Sequence, residues 1–173
     1  GKEVEGCYVS DRLSDVMGNA EMGNIWVTLQ THKNVMAIAS LKDGKKLYSS
    51  YDVAKMLDRE QGYADLDNYD YGSLFGTTFT MDKAQRISTY DSGSTHAMTL
   101  TAVDLDENGK ATQWKVENSW GAAWGQQGCM IMSDRWWREY TFRLVVDKKY
   151  VPEDILKANE QKPLMVMPED PLF

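Results

Sequence analysis

At 173 residues with 42% hydrophobic content, the chain is long enough for one domain with a real core and too short for two comfortable ones. Its acidic side chains outnumber the basic ones, 26 to 19, and the resulting charge of −7 repels phosphates and anionic lipid heads, so neither nucleic acid nor a membrane surface is an expected partner. No run approaches the roughly 18 apolar residues that span a bilayer, and GKEVEGCYVSD at the N-terminus lacks the charged-then-apolar layout of a signal.

Cys7 and Cys129 lie far apart and outside any CxxC pattern, which argues against a disulfide scaffold or a structural zinc site and favours reducing, cytoplasmic surroundings. Ten methionines and six tryptophans predict a large apolar contact area, including surface that another segment or subunit covers.

His32 stands in a THKN stretch where it caps a helix start or faces solvent, and no second histidine or carboxylate cluster offers metal spacing, so no metal is expected. Residues 33–43 read as a helix, with Val35, Ile38 and Ala39 at helical spacing and Asp43-Gly44 as the stop. A short strand over 47–52 follows.

Residues 53–93 are rich in Asp, Gly, Tyr and Ser and predict a long excursion with only short helices, near 71–75 and 82–87. The acidic run of Asp65, Asp67 and Asp70 within it reads as a solvated or subunit-facing loop.

Strands are expected over 95–104 and 111–118, joined by DENGK, whose Asn108-Gly109 pair is a strong hairpin signal. Asp104, Asp106, Asn108 and Gly109 also match the first half of a calcium loop, but Lys115 stands where that loop needs a bidentate glutamate, so calcium is not expected. Further strands are expected over 129–133 and 140–146, then a helix over 152–159 with Pro152 in its first turn. The tail KPLMVMPEDPLF, with three prolines, reads as extended.

His96 opens the first strand of the hairpin and Asn118 closes the second, so antiparallel pairing can bring them together. Proton transfer from a thiol near neutral pH needs an imidazole, and an asparagine amide can fix its tautomer and ring angle. Taken as an arbitrary pair, His96 and Asn118 are ordinary strand-end and turn residues; their flanking residues change that.

ENSWGAAWGQQG resembles the NSWG-x-x-WG-x-x-G stretch of the papain family, and STHAM resembles the block around that family's catalytic histidine, in the same chain order. YDYGSLFG, TFTMDKAQRI, THAMTLTAV, WKVENSWG and VVDKKYVPEDILK are similar to C-terminal segments of bleomycin hydrolase and aminopeptidase C, a likeness running from about Arg12 to Pro171. The resemblance implies an α+β papain-like fold. Within it, residues 1–173 would be the strand-rich right-hand subdomain with flanking helices, and the helical half bearing the nucleophile would be absent.

The same resemblance implies that His96 is the catalytic base, that Asn118 orients it, and that Trp120 shields their hydrogen bond from water. A packing role for Trp120 is the equal alternative, since shielding and packing are one contact. Trp124 reads as packing, and Gly121, Gly125 and Gly128 as turn or close-approach positions.

A papain-type nucleophile lies in a CGSCW-like motif roughly 130 to 150 residues before the histidine, and His96 leaves no room for one. Cys7 lacks the motif, while Cys129 sits mid-strand beside Met130, Ile131 and Met132, an apolar setting rather than the electropositive one of reactive thiols. The chain alone is therefore expected to be inactive, with no nucleophile of its own.

With its missing half as partner, the expected reaction is peptide hydrolysis through a thioester without any cofactor, in a homo-hexamer such as the family forms. The family's C-terminal arm (161–173 here) implies trimming from peptide N-termini, but this arm ends early at Leu172-Phe173 and carries Glu169 where an aromatic is usual. The competing reading is a non-catalytic papain-fold relative that binds or scaffolds.

Overall fold

A computed structural model describes residues 8–9, 24–27, 30–159 and 164–165. In chain order the elements are β1 (Tyr8–Val9), β2 (Asn24–Val27), α1 (Gln30–Lys42), β3 (Leu47–Tyr51), β4 (Leu57–Asp58), β5 (Tyr63–Ala64), α2 (Tyr71–Phe75) and α3 (Lys83–Ser88). They continue with β6 (His96–Leu105), β7 (Ala111–Glu117), β8 (Cys129–Ser133), α4 (Asp134–Tyr140), β9 (Thr141–Asp147), α5 (Glu153–Asn159) and β10 (Leu164–Met165). Cys7 and all of the tail except β10 lie outside the described residues, as does the side chain of His32.

One mixed sheet has the order β2-β9-β3-β6-β7-β8-β5-β4, antiparallel throughout except for β5 beside β8, and β1 pairs with β10 in parallel. The expected hairpin forms its centre, with Thr99 opposite Glu117 and Leu100 opposite Val116. Alternation explains the burial: Met98 and Leu100 on β6, Trp114 and Val116 on β7, and Met130 and Met132 on β8 all turn to the core face. In the connecting turn, Asp106 Oδ1 accepts from the backbone N–H groups of Asn108 (2.9 Å) and Lys110 (2.8 Å), so this carboxylate is spent on holding the hairpin.

Helix α1 forms where periodicity places it, but its buried face is turned from the expected one. Val35 is 61% exposed, while Lys33, Met36, Ala37 and Ser40 pack inward at i, i+3, i+4 and i+7 spacing. Two polar residues at the ends of the stripe hid it. Lys33 is carried inside because its Nζ donates to the carbonyl of Thr141 at 2.8 Å.

Helix α4 is an addition to the sequence reading, which passed from one strand to the next. Ser133 caps it, its Oγ accepting from Trp136 N at 3.2 Å. The helix inserts Trp136 and Trp137 into the centre of the molecule. Trp137 stacks on Trp114 with centroids 4.4 Å apart, and Trp136 and Trp137 both flank Tyr51 at about 6 Å.

The excursion carries its two short helices as expected, each started by an aspartate. Asp70 accepts from Ser73 N, and Asp82 forms a capping box with Gln85. Asp65 and Asp67 both accept from Arg135 Nη2, at 2.8 and 2.6 Å, which accounts for the acidic run. Leu74, Phe75, Phe79 and Tyr90 are exposed on this segment. Among the described residues no helix is long and apolar enough to cross a membrane.

Candidate active site

Pairing of β6 with β7 places His96 and Asn118 at the same open end of the hairpin, both on the core-facing side by alternation from Met98 and Val116. His96 Nε2 and Asn118 Oδ1 are 2.9 Å apart. Asn118 is 9% exposed, its backbone N–H donates to Gly128 O at 2.8 Å, and its side chain is thereby rooted in the loop that follows.

The amide cannot be turned the other way round. Ser119 N–H donates to Asn118 Oδ1 at 2.7 Å, and a flipped amide would set an NH2 group against that donor. With the oxygen fixed toward the ring, Nε2 must carry the hydrogen, and in the neutral imidazole the lone pair then sits on Nδ1. One backbone N–H thus selects the tautomer and leaves Nδ1 unprotonated. The amide Nδ2 is buried with no acceptor among the described residues.

Trp120 lies over the imidazole, ring centroids 4.8 Å apart and planes 24° apart, and Trp124 meets Trp120 edge-on at 4.8 Å. The loop bearing these indoles is folded by backbone bonds from Trp124 N to Gly121 O and from Gly128 N to Trp124 O. It packs on the excursion at Gly125, where an added Cβ would come within 2.7 Å of Cys129 O and 3.1 Å of Gly62 Cα. The glycine reading holds there, and its partner Gly62 carried no visible signal.

Cys129 is corrected from a buried mid-strand position to the half-buried first residue of β8. It pairs opposite the exposed Glu117, so its side chain points to the outer face of the sheet, away from Met130 and Met132. His96 and Asn118 are on the other face. The sheet itself therefore separates this thiol from the imidazole. Among the described residues, no three His, Cys, Asp or Glu side chains cluster in a way that could hold a metal.

Aminopeptidase C of Lactococcus lactis subsp. lactis is 39% identical over 165 residues, covering 95% of this chain and 38% of its own length. Bleomycin hydrolase of Homo sapiens is 41% identical over 173 residues, covering 95% and 37%. The crystal structure of PepW from Lactobacillus rhamnosis HN001 superposes with a TM-score of 0.82 at 36% identity, covering 98% of this chain and 38% of that one. The chain thus spans a little over a third of the relatives it matches. The α+β, papain-like architecture expected from the motifs is present, and, since the family model matches residues 1–173 throughout, the chain belongs to the Peptidase C1-like family.

Proposed function

We propose that this chain supplies the base and its orienting amide to a cysteine peptidase active site, the thiol coming from elsewhere in the complete protein. The observation that carries this reading is the convergence of Ser119 N–H and His96 Nε2 on Asn118 Oδ1, which leaves the Nδ1 lone pair of His96 free.

In that role Nδ1 takes the proton of the cysteine thiol, and the thiolate attacks the peptide carbonyl. The imidazolium returns the proton to the departing amine as the thioester forms. A water molecule, its proton drawn off by the same nitrogen, then releases the acid. Asn118 keeps the ring in one tautomer and angle through both steps, and Trp120 covers one face of the pair. Neither step calls on a metal or organic cofactor.

Peptides are the substrate class, and the likeness to aminopeptidase C favours release of residues from the N-terminus. Assembly into a ring of six in the cytoplasm is the corresponding expectation, which sedimentation of the complete protein measures. In the complete protein, His96→Ala should abolish peptide hydrolysis and labelling by a thiol-directed covalent inhibitor while leaving the circular dichroism spectrum unchanged. Turnover that survives this substitution would end the proposal and favour a binding or scaffolding role for the fold.

A further inference from the structure

We propose that Asp52 and Ser92 act as a positioning pair for His96, clamping the turn that leads into its strand; this rests on the reading of His96 as the base.

Pairing of β3 with β6 ends at Tyr51 opposite His96. The two chains nevertheless continue side by side, joined by side chains where the ladder stops. Thr95 N donates to Tyr51 O at 2.9 Å, and Thr95 Oγ1 both donates to Tyr51 O and accepts from Val53 N, each at 3.1 Å. Ser94 Oγ donates to Ser50 Oγ at 2.9 Å. Further out, Ser92 Oγ donates to Asp52 Oδ2 at 2.7 Å, and the backbone N–H of Gly93 donates to the same carboxylate. Lys55 and Asp91 close the outer end as an ion pair at 3.3 Å.

Asp52 and Ser92 are each 4% exposed. A buried carboxylate is costly unless its oxygens are hydrogen-bonded, and both bonds described here come from consecutive residues of one turn. That turn is consequently held where the carboxylate is. Asp52 is itself anchored on the other side, its N–H donating to Tyr140 O at 3.0 Å, and the N–H groups of Asp91 and Ser92 both donate to Arg86 O.

The geometry of the imidazole explains why this clamp matters. Asn118 holds the tip of the ring and Trp120 covers its face, and both belong to the loop after β7. The root of the ring, its backbone, is tied instead to β3, by the last ladder pair opposite Tyr51 and beyond it through the 92–95 segment. If the outer grip loosens, the end of the ladder at His96 is free to fray and Nδ1 loses its fixed direction. A displacement of about 1 Å at a reacting group can cost on the order of 100-fold in rate.

The test uses the complete protein with Ser92→Ala, Ser92→Thr and Asp52→Asn, each assayed for kcat and KM and by nitrogen NMR of the His96 ring. Ser92→Ala should lower kcat about 10-fold with KM little changed and should move the ring signals from the Nε2–H form toward tautomer averaging. Ser92→Thr, which keeps the hydroxyl, should restore both. Asp52→Asn keeps an acceptor for Ser92 but presents an NH2 to Gly93, and should fall between the two. Wild-type kcat in Ser92→Ala, equal losses in Ser92→Ala and Ser92→Thr, or ring signals that stay unchanged while kcat falls would overturn the proposal. His96→Ala separates the two ideas: if it abolishes turnover while Ser92→Ala does not, the base stands and only the clamp fails.

Discussion

The indole of Trp120 stacks on the imidazole of His96 while remaining 41% exposed, so one face of the ring is roofed by a side chain that is itself open to water. Such a contact contributes about 0.5–1.5 kcal/mol beyond area burial. Trp120→Ala should therefore shift the urea midpoint little, yet lower kcat several-fold by admitting water to the His96–Asn118 bond. Trp120→Phe should recover most of it. Equal activity in all three proteins would assign Trp120 to packing.

Replacing Asn118 distinguishes orientation from bulk. Asn118→Ala removes the acceptor for both Nε2 and Ser119 N–H and should lower kcat/KM by about 100-fold, within the usual range for disrupting a general base. Asn118→Asp offers an oxygen in the same place and should retain more activity than the alanine variant. Rate measurement with one peptide substrate ranks the three.

Asp134 ties the aromatic centre together. Its Oδ1 accepts from Trp114 Nε1 at 3.0 Å and Asn34 Nδ2 at 2.8 Å, and its Oδ2 accepts from Arg138 Nε at 2.6 Å. Asp134→Ala strands the buried Trp114 donor and the half-buried Asn34 donor and should destabilise the fold by about 3 kcal/mol, read from urea unfolding. Arg135→Ala, which breaks only the surface pairing with Asp65 and Asp67, should cost less than about 1 kcal/mol.

Two lysines predict how stability varies in mild alkali. Burial, with help from the neighbouring Lys83 charge, holds the amine of Lys33 well below its ordinary value, and burial brings Lys83 down to about 8. Above that point the folded chain binds fewer protons than the unfolded one, whose lysines titrate near 10.5. Stability should therefore rise with pH from about 8 until tyrosines of the unfolded chain ionise near 10, since burial pushes the Tyr51 phenol upward and reverses the sign there. Lys33→Met should flatten the rise in urea midpoint over that window.

The parts of the fold that were legible in sequence are those whose signal is local. Alternation and Asn108-Gly109 delimit the hairpin, and Asp70 and Asp82 mark the helices they cap. Helix α4 escaped because its tryptophan pair suits a strand as well as a helix, although Ser133-Asp134 was a usable start signal. Strands β4 and β5 are two residues each and exist only through backbone pairing, which leaves no side-chain period to read. The same holds at the site. His96, Asn118 and Trp120 were visible through motifs, whereas the choice of ring nitrogen depends on a backbone N–H, and the Asp52–Ser92 contact joins residues 40 positions apart.

Gly62 and Gly125 touch backbone to backbone, and an added Cβ on Gly62 would lie 2.7 Å from Gly125 Cα. The spacing between the excursion and the tryptophan loop is thus set by the thickness of two bare main chains. Any side chain at position 62 acts as a wedge under the roof of His96, altering the imidazole's surroundings from a residue that never meets it.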